Sequence, residues 1–218
     1  MAREVLIEGL KSLDIEPDIY KITLFETYLR ELLRWNKTYN LTAITDERDI
    51  INKHFLDSLL YLKFIMALKG LKNDNLCDVG TGAGFPGVPF AIIREDIQVS
   101  LVESSRKKCS FLYQIRQLLG LKNIEIINKP VEELSNRTFD LVVTRALFNI
   151  QEMVKKCNRL LSPQGLMILS KGEKGYEELK KIPNGYSVNT LQISIPNTNM
   201  ARLLISICRS KSAIELRT

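Results

Sequence analysis

The sequence predicts an α/β fold: a central, mostly parallel seven-stranded sheet with a C-terminal antiparallel hairpin and an N-terminal helical cap. Three observations predict it. The first seventy residues repeat their apolar positions at helical spacing, and from Leu76 to Leu169 short β-type runs alternate with helical stretches. At the end, two strand-like runs follow one another with only a polar turn between them. Alternating strands and helices imply a parallel sheet covered on both faces, and two strands joined by a short turn pair antiparallel.

In the cap, Val5, Leu6, Leu10 and Leu13 share one helical face, and Ile22, Phe25, Leu29, Leu32 and Leu33 repeat the spacing of three and four. A third helix is expected to start at Thr45 or Asp46, where a side-chain oxygen can cap it and Glu47 and Asp49 suit its positive end. It carries Ile50, Phe55, Leu59, Leu62 and Ile65. A polar break from Lys69 to Asn75 follows. The β runs are Leu76–Val79, Val99–Val102, Ile124–Ile127, Leu141–Val143 and Leu166–Leu169. Helical stretches around Val88–Arg94, Arg106–Leu119 and Ile150–Leu161 suit right-handed crossovers. Tyr186–Ile195 and Arg202–Cys208, joined by Pro196–Asn199, form the hairpin. The expected organisation is a helical cap over residues 1–72, a sheet core over 73–210 and a tail over 211–218.

A chain of 218 residues, 45% hydrophobic, can build one substantial core with an appended subdomain. The amino terminus lacks the uninterrupted apolar stretch of a signal peptide, and no later segment reaches membrane-span length, so a cytoplasmic protein without a membrane partner is expected. A monomer is expected. Cys77, Cys109, Cys157 and Cys208 are scattered in apolar surroundings with a single histidine to join them, so buried free thiols and no metal are expected. The formal charge is +6: 11 basic and 11 acidic residues lie up to Lys72, but 20 basic and 14 acidic after it. A basic excess of this size suits a polyanionic partner without requiring one.

The most informative segment runs from Asp78 to Gly87, with Gly80, Gly82 and Gly84 directly after the first strand and Pro86 expected in the first turn of the next helix. Glycines there permit a tight turn and close backbone approach to a ligand. A dinucleotide fingerprint needs glycine where Phe85 stands, which places a nicotinamide oxidoreductase last among the readings. The observed spacing is typical of S-adenosylmethionine sites, and a five-stranded parallel sheet closed by a hairpin is the class I, Rossmann-like methyltransferase arrangement. Glu103, ending the second β run, is the candidate ribose ligand. After the third run, Glu132 is placed to meet adenine and Val131 to offer backbone groups, although a pair of acids capping a helix reads the same way. After the fourth run, Arg145 suits either the cofactor carboxylate or a substrate phosphate, or a plain ion pair. The Asp/Asn-Pro-Pro-aromatic segment that holds a planar amine is missing there, which disfavours an exocyclic amine as methyl acceptor.

Trp35-Asn36 with Asn40-Leu41-Thr42, His54-Phe55 with Asp57-Ser58-Leu59, the whole Asp78–Gly87 loop and Arg145-Ala146 closely resemble the glucose-inhibited division protein B family, the ribosomal RNA small subunit methyltransferase G group. The resemblance runs from about Leu24 to Ile207. It implies methylation of guanine N7 in 16S ribosomal RNA near the decoding centre, on naked RNA or on a small-subunit particle, with S-adenosylhomocysteine as the other product. It also implies cofactor contacts at Gly80, Phe85, Val131, Glu132 and Arg145. No catalytic residue is expected, because guanine N7 already presents a lone pair and carries no proton.

Asn40, His54, Asp57 and Ser58 are expected to form a polar cluster between cap and sheet, serving either the fold or RNA. Lys171 and Arg202, with Lys174 nearby, are candidate phosphate contacts or simply solvated cations. Two rival readings share the fold: a small-molecule methyltransferase, and a catalytically idle RNA-binding or ribosome-assembly module.

Overall fold

The computed structural model describes residues 2–68, 74–145, 148–172 and 175–210. The expected tail, Lys174 and Ala146 lie outside the described residues, as does most of the Lys69–Asn75 break. The cap consists of α1 (Ala2–Ser12), α2 (Ile19–Tyr39), α3 (Glu47–Ile50), a π-helical stretch (Ile51–Leu56) and α4 (Asp57–Ala67). The sheet portion follows as β1 (Asn75–Val79), α5 (Gly87–Ile93), β2 (Gln98–Val102), α6 (Arg106–Leu118), β3 (Ile124–Ile127), β4 (Phe139–Arg145), α7 (Ile150–Cys157), β5 (Leu161–Lys171), α8 (Gly175–Leu179), β6 (Tyr186–Ser194) and β7 (Ala201–Arg209).

The strand order is β3-β2-β1-β4-β5-β7-β6. Strands β1 to β5 are parallel, and β7 runs antiparallel between β5 and the edge strand β6. The order reverses between β1 and β4, and ligands in open α/β sheets bind beyond the strand carboxyl ends at such a switch point.

Several elements follow directly from the residues. Asp46 caps α3, its carboxylate accepting from the Asp49 N–H, and Asp18 caps α2 in the same way. Asn149 and Glu152 close a reciprocal capping box on α7. Strands β4 and β5 outrun their apolar stretches because the ladder continues through polar residues, pairing Thr144 with Leu169 and Arg145 with Ser170. A short 3₁₀ turn at Val131–Glu133 and helix α8 were not foreseen; both are too short to show a periodicity.

One apolar cluster joins the cap to one sheet face: Phe25, Tyr28, Phe55 and Phe64 pack with Phe85, Phe90, Phe111 and Leu141. A second lies under the other face, with Met153, Cys157 and Leu160 against Val142 and Met167. The cap therefore shares its core with the sheet. All four cysteines are buried, and none of them forms a disulfide. Among the described residues no helix is long and apolar enough to cross a membrane, and no group of three or more His, Cys, Asp or Glu side chains could hold a metal ion.

Candidate functional site

Beyond the carboxyl ends of β1, β2 and β3 lies a cleft of about 330 Å³, a size within the range of small-molecule sites. Its walls include Gly80, Glu103, Val131 and Glu132, brought together from three successive loops, with Lys108, Lys129, Phe148 and Lys156 around them. Gly82, Gly84, Phe85 and Arg145 do not line it. Gly82, Gly84 and Phe85 belong to the glycine loop itself, and Arg145 lies against the Phe85 ring.

That loop is shaped by two carboxylates. Asp78, fully buried on β1, accepts from the Thr81 hydroxyl at 2.6 Å and from the Gly87 N–H at 2.8 Å. Its other oxygen, Oδ1, has no hydrogen-bond partner among the described residues, and burial pushes its pKa up to about 7. Pro86 precedes α5 as its N-cap instead of filling its first turn, so Gly87 opens the helix and gives its N–H to Asp78. Glu103 accepts from the Gly82 N–H at 3.0 Å and the Ser105 N–H at 2.8 Å. It thus ties the loop after β1 to the start of α6. Gly82 and Gly84 have φ of +62° and +100°, and a Cβ on Gly84 would lie 2.7 Å from the Tyr28 hydroxyl, so Gly84 requires glycine and Gly82 adopts a left-handed conformation that strains most side chains.

At the outer wall Val131 is buried, whereas Glu132 is exposed and pairs with the Lys156 ammonium at 2.5 Å. Lys156 also lies 5.1 Å from the centroid of the Phe148 ring.

Behind the loop, cap and sheet meet in a charged junction. Asp57, 1% exposed, accepts from Arg202 Nε at 2.8 Å and Arg202 Nη2 at 3.4 Å, and from Arg145 Nη1 at 3.4 Å. Arg145 also donates to the Lys53 carbonyl and to His54 Nδ1, each at 3.0 Å. A guanidinium has no acceptor, so Nδ1 must accept and the His54 proton sits on Nε2, which donates to the Thr42 hydroxyl at 2.7 Å. Burial, then the Arg145 charge, holds the His54 pKa down to about 3, so the ring is neutral. It stacks on Phe85 at 4.6 Å, and the Arg145 guanidinium lies 5.0 Å from the same ring. Tyr28 donates to the Ala83 carbonyl at 2.5 Å. Cap residues thereby grip the glycine loop from behind.

The expected polar cluster forms with different members. His54 and Asp57 belong to it; Asn40 does not, being the exposed, left-handed C-cap of α2. Asn36 takes its place, exchanging two hydrogen bonds with the Thr42 backbone at 2.9 Å. Ser58 turns back onto the His54 carbonyl of its own helix. Lys171 donates to the Phe148 carbonyl at 2.5 Å and pairs with Glu178 at 3.2 Å, while Glu178 accepts from the Ile150 N–H. Lys171 and Arg202 are both engaged inside the protein.

With this geometry in view, the family model GidB, described as rRNA small subunit methyltransferase G, matches residues 21–204. The chain belongs to this family. Ribosomal RNA small subunit methyltransferase G of Chromobacterium violaceum is 37% identical over 202 residues, covering 92% of this chain and 94% of that protein. The protein of the same name from Hydrogenovibrio crunogenus is 40% identical over 182 residues, covering 83% and 82%. Among solved structures, a putative O-methyltransferase from Klebsiella pneumoniae superposes with a TM-score of 0.58 at 14% identity, covering 92% of this chain and 94% of that one. A SAM-dependent methyltransferase from Aquifex aeolicus gives 0.53 at 18% identity, covering 73% and 92%. These structural likenesses establish the fold, a class I, Rossmann-like methyltransferase fold. The rRNA small subunit methyltransferase G family is one of S-adenosylmethionine-dependent RNA methyltransferases.

Phe148, Lys108, Lys129 and Lys156 were missed as lining residues by sequence reasoning. Lys129 and Lys108 stand within about six residues of strand ends, and that position relative to the switch point was the available signal.

Proposed function

We propose that this protein transfers a methyl group from S-adenosylmethionine to N7 of a guanine in 16S ribosomal RNA near the decoding centre, conventionally guanosine 527. The observation that carries the reading is a family match spanning residues 21–204, which contains every wall of the cleft. On this reading residues 73–210 form the cofactor-binding core, and the cap over residues 1–72 shapes the RNA side of a cytoplasmic monomer.

The cleft suits the cofactor by its donor set. Gly80 brings bare backbone to its floor, and Glu103, with two lone-pair sites left after Gly82 and Ser105 are served, can accept from ribose hydroxyls. Val131 offers backbone and an apolar wall toward adenine, and Glu132 reaches that region from its pair with Lys156. S-adenosylmethionine supplies an electrophilic methyl on a sulfonium. Guanine N7 needs alignment more than a base, and no base is assigned. Arg145 uses three of its five N–H donors inside the junction, so its first role is to brace Phe85 and His54, with two donors left for an anion.

The test incubates purified protein and methyl-labelled S-adenosylmethionine with unmodified small-subunit particles and with naked 16S RNA, then maps the labelled base. Label at guanine N7 is expected. No transfer to RNA by protein that demonstrably binds the cofactor would overturn the reading in favour of a small-molecule acceptor or an idle module.

A further inference from the structure

The cations first expected to meet phosphate are occupied: Arg202 and Arg145 by Asp57, and Lys171 by Phe148 and Glu178. A different set is available beside the cleft. Arg106, Lys107 and Lys129 are exposed, and no carboxylate among the described residues pairs with them; Lys129 stands on the rim of the cleft as one of its lining residues, and Lys108, next to Lys107 in sequence, lines it 4.0 Å from Glu103.

An exposed aromatic lies at the same place. Helices α2 and α6 run antiparallel: Leu24 shares a recess with Leu119 and Leu121, and Trp35 packs on Phe111 at 5.6 Å. One helical turn farther along α2, that register brings Tyr39 level with Lys107. Tyr39 is 44% exposed, and its ring is held by Trp35 at 5.1 Å. A ring that is fixed yet open to solvent loses little entropy when a base stacks on it.

We propose that single-stranded RNA crosses the protein along the seam between α2 and α6 at the mouth of the cleft, with a base on Tyr39 and phosphates on Arg106, Lys107 and Lys129. Charge complementarity selects a polyanion, and the held aromatic selects unstacked bases, since single strands are read by stacking and the interior of a duplex offers none. The seam lies on the β2–β3 side of the cleft, so a strand held there can extend over the ends of β1 and β4. This rests on the reading of the protein as an RNA methyltransferase.

The test measures binding of naked, unmodified 16S RNA at several salt concentrations, with S-adenosylhomocysteine affinity measured in parallel. Neither Tyr39, Arg106 nor Lys107 lines the cleft, so cofactor affinity is expected to stay at the wild-type value in all variants. The double variant Arg106→Ala/Lys107→Ala is expected to make the salt slope shallower by about 1.4 units, about 0.7 for each single-strand phosphate that is no longer neutralised. Tyr39→Ala is expected to weaken binding about tenfold, with Tyr39→Phe retaining it, as removal of one stacking platform requires. Wild-type salt slope and affinity in these variants would overturn the seam. Failure of the wild-type protein to bind or methylate RNA while binding cofactor would instead overturn the functional reading beneath it.

Discussion

The cleft at the ends of β1 to β3 and the junction where the cap meets β4 and β7 lie on opposite sides of one glycine loop, and they use their polar groups differently. In the junction, Asp57, Arg145, Arg202, His54 and Thr42 bond chiefly to one another, largely out of water, with two Arg145 donors to spare. In the cleft, Glu103 keeps accepting capacity, Gly80 exposes backbone, and Glu132 and Lys156 meet only at the rim. A charged residue conserves its binding potential only where no neighbour already completes it. The junction therefore acts on the cofactor side indirectly, by fixing Phe85 and the loop behind the cleft.

Four experiments separate the two regions, and the largest effect is expected at Asp57. Replacing it with Ala leaves Arg145 and Arg202 without their carboxylate, and a cost of about 3–5 kcal/mol is expected in urea denaturation. A loss below about 1 kcal/mol would show that water reaches the junction and serves both arginines.

Acid should reveal His54 next. The unfolded ring protonates near 6.5 and the folded ring only near 3, so between these values the unfolded state binds more protons and acidification favours it. The stability that neutral His54 contributes is complete above about pH 6.5 and declines as pH falls toward 3, by up to about 1.4 kcal/mol per pH unit. Because His54 is the only histidine, the difference in pH dependence between wild type and His54→Gln isolates it. A folded-state imidazole titrating near 6.5 by NMR would contradict the burial and the Arg145 contact.

Glu103→Ala should divide its effect between the two roles. Two backbone N–H groups lose their acceptor, costing about 1–3 kcal/mol of stability, and S-adenosylhomocysteine affinity is expected to fall at least tenfold by calorimetry. Asp57→Ala, compared at a temperature where it stays folded, is expected to change that affinity less. The smallest effect belongs to Lys156→Ala, which frees an exposed Glu132: the melting temperature is expected to stay unchanged, and cofactor affinity to shift only severalfold.

Much of this was legible in the sequence. The helical spacing in the cap, the alternation after Leu76 and the polar turn at Pro196–Asn199 led to a mostly parallel seven-stranded sheet ending in an antiparallel hairpin, though not to its strand order, and of the eight cofactor candidates Gly80, Glu103, Val131 and Glu132 share one cleft while Gly82, Gly84, Phe85 and Arg145 do not line it. The partners of the charged residues were not legible. Asp57 lies 88 residues from Arg145 and 145 from Arg202, and no periodicity connects them. Asn40 and Asn36 stand one turn apart on α2, and only the fold shows which of them faces inward. The 3₁₀ turn at Val131–Glu133 was hidden because three residues carry no repeat.

The most direct measurement follows backbone amide shifts by NMR as S-adenosylhomocysteine is added. The largest shifts are expected at Gly80, Glu103, Ser104 and the Lys129–Glu132 segment, with smaller ones at His54 and Asp57 behind the loop. Saturable binding whose shifts fall on the junction or the β6–β7 hairpin, leaving the amides of Gly80, Glu103 and Val131 unmoved, would contradict the assignment of the cleft.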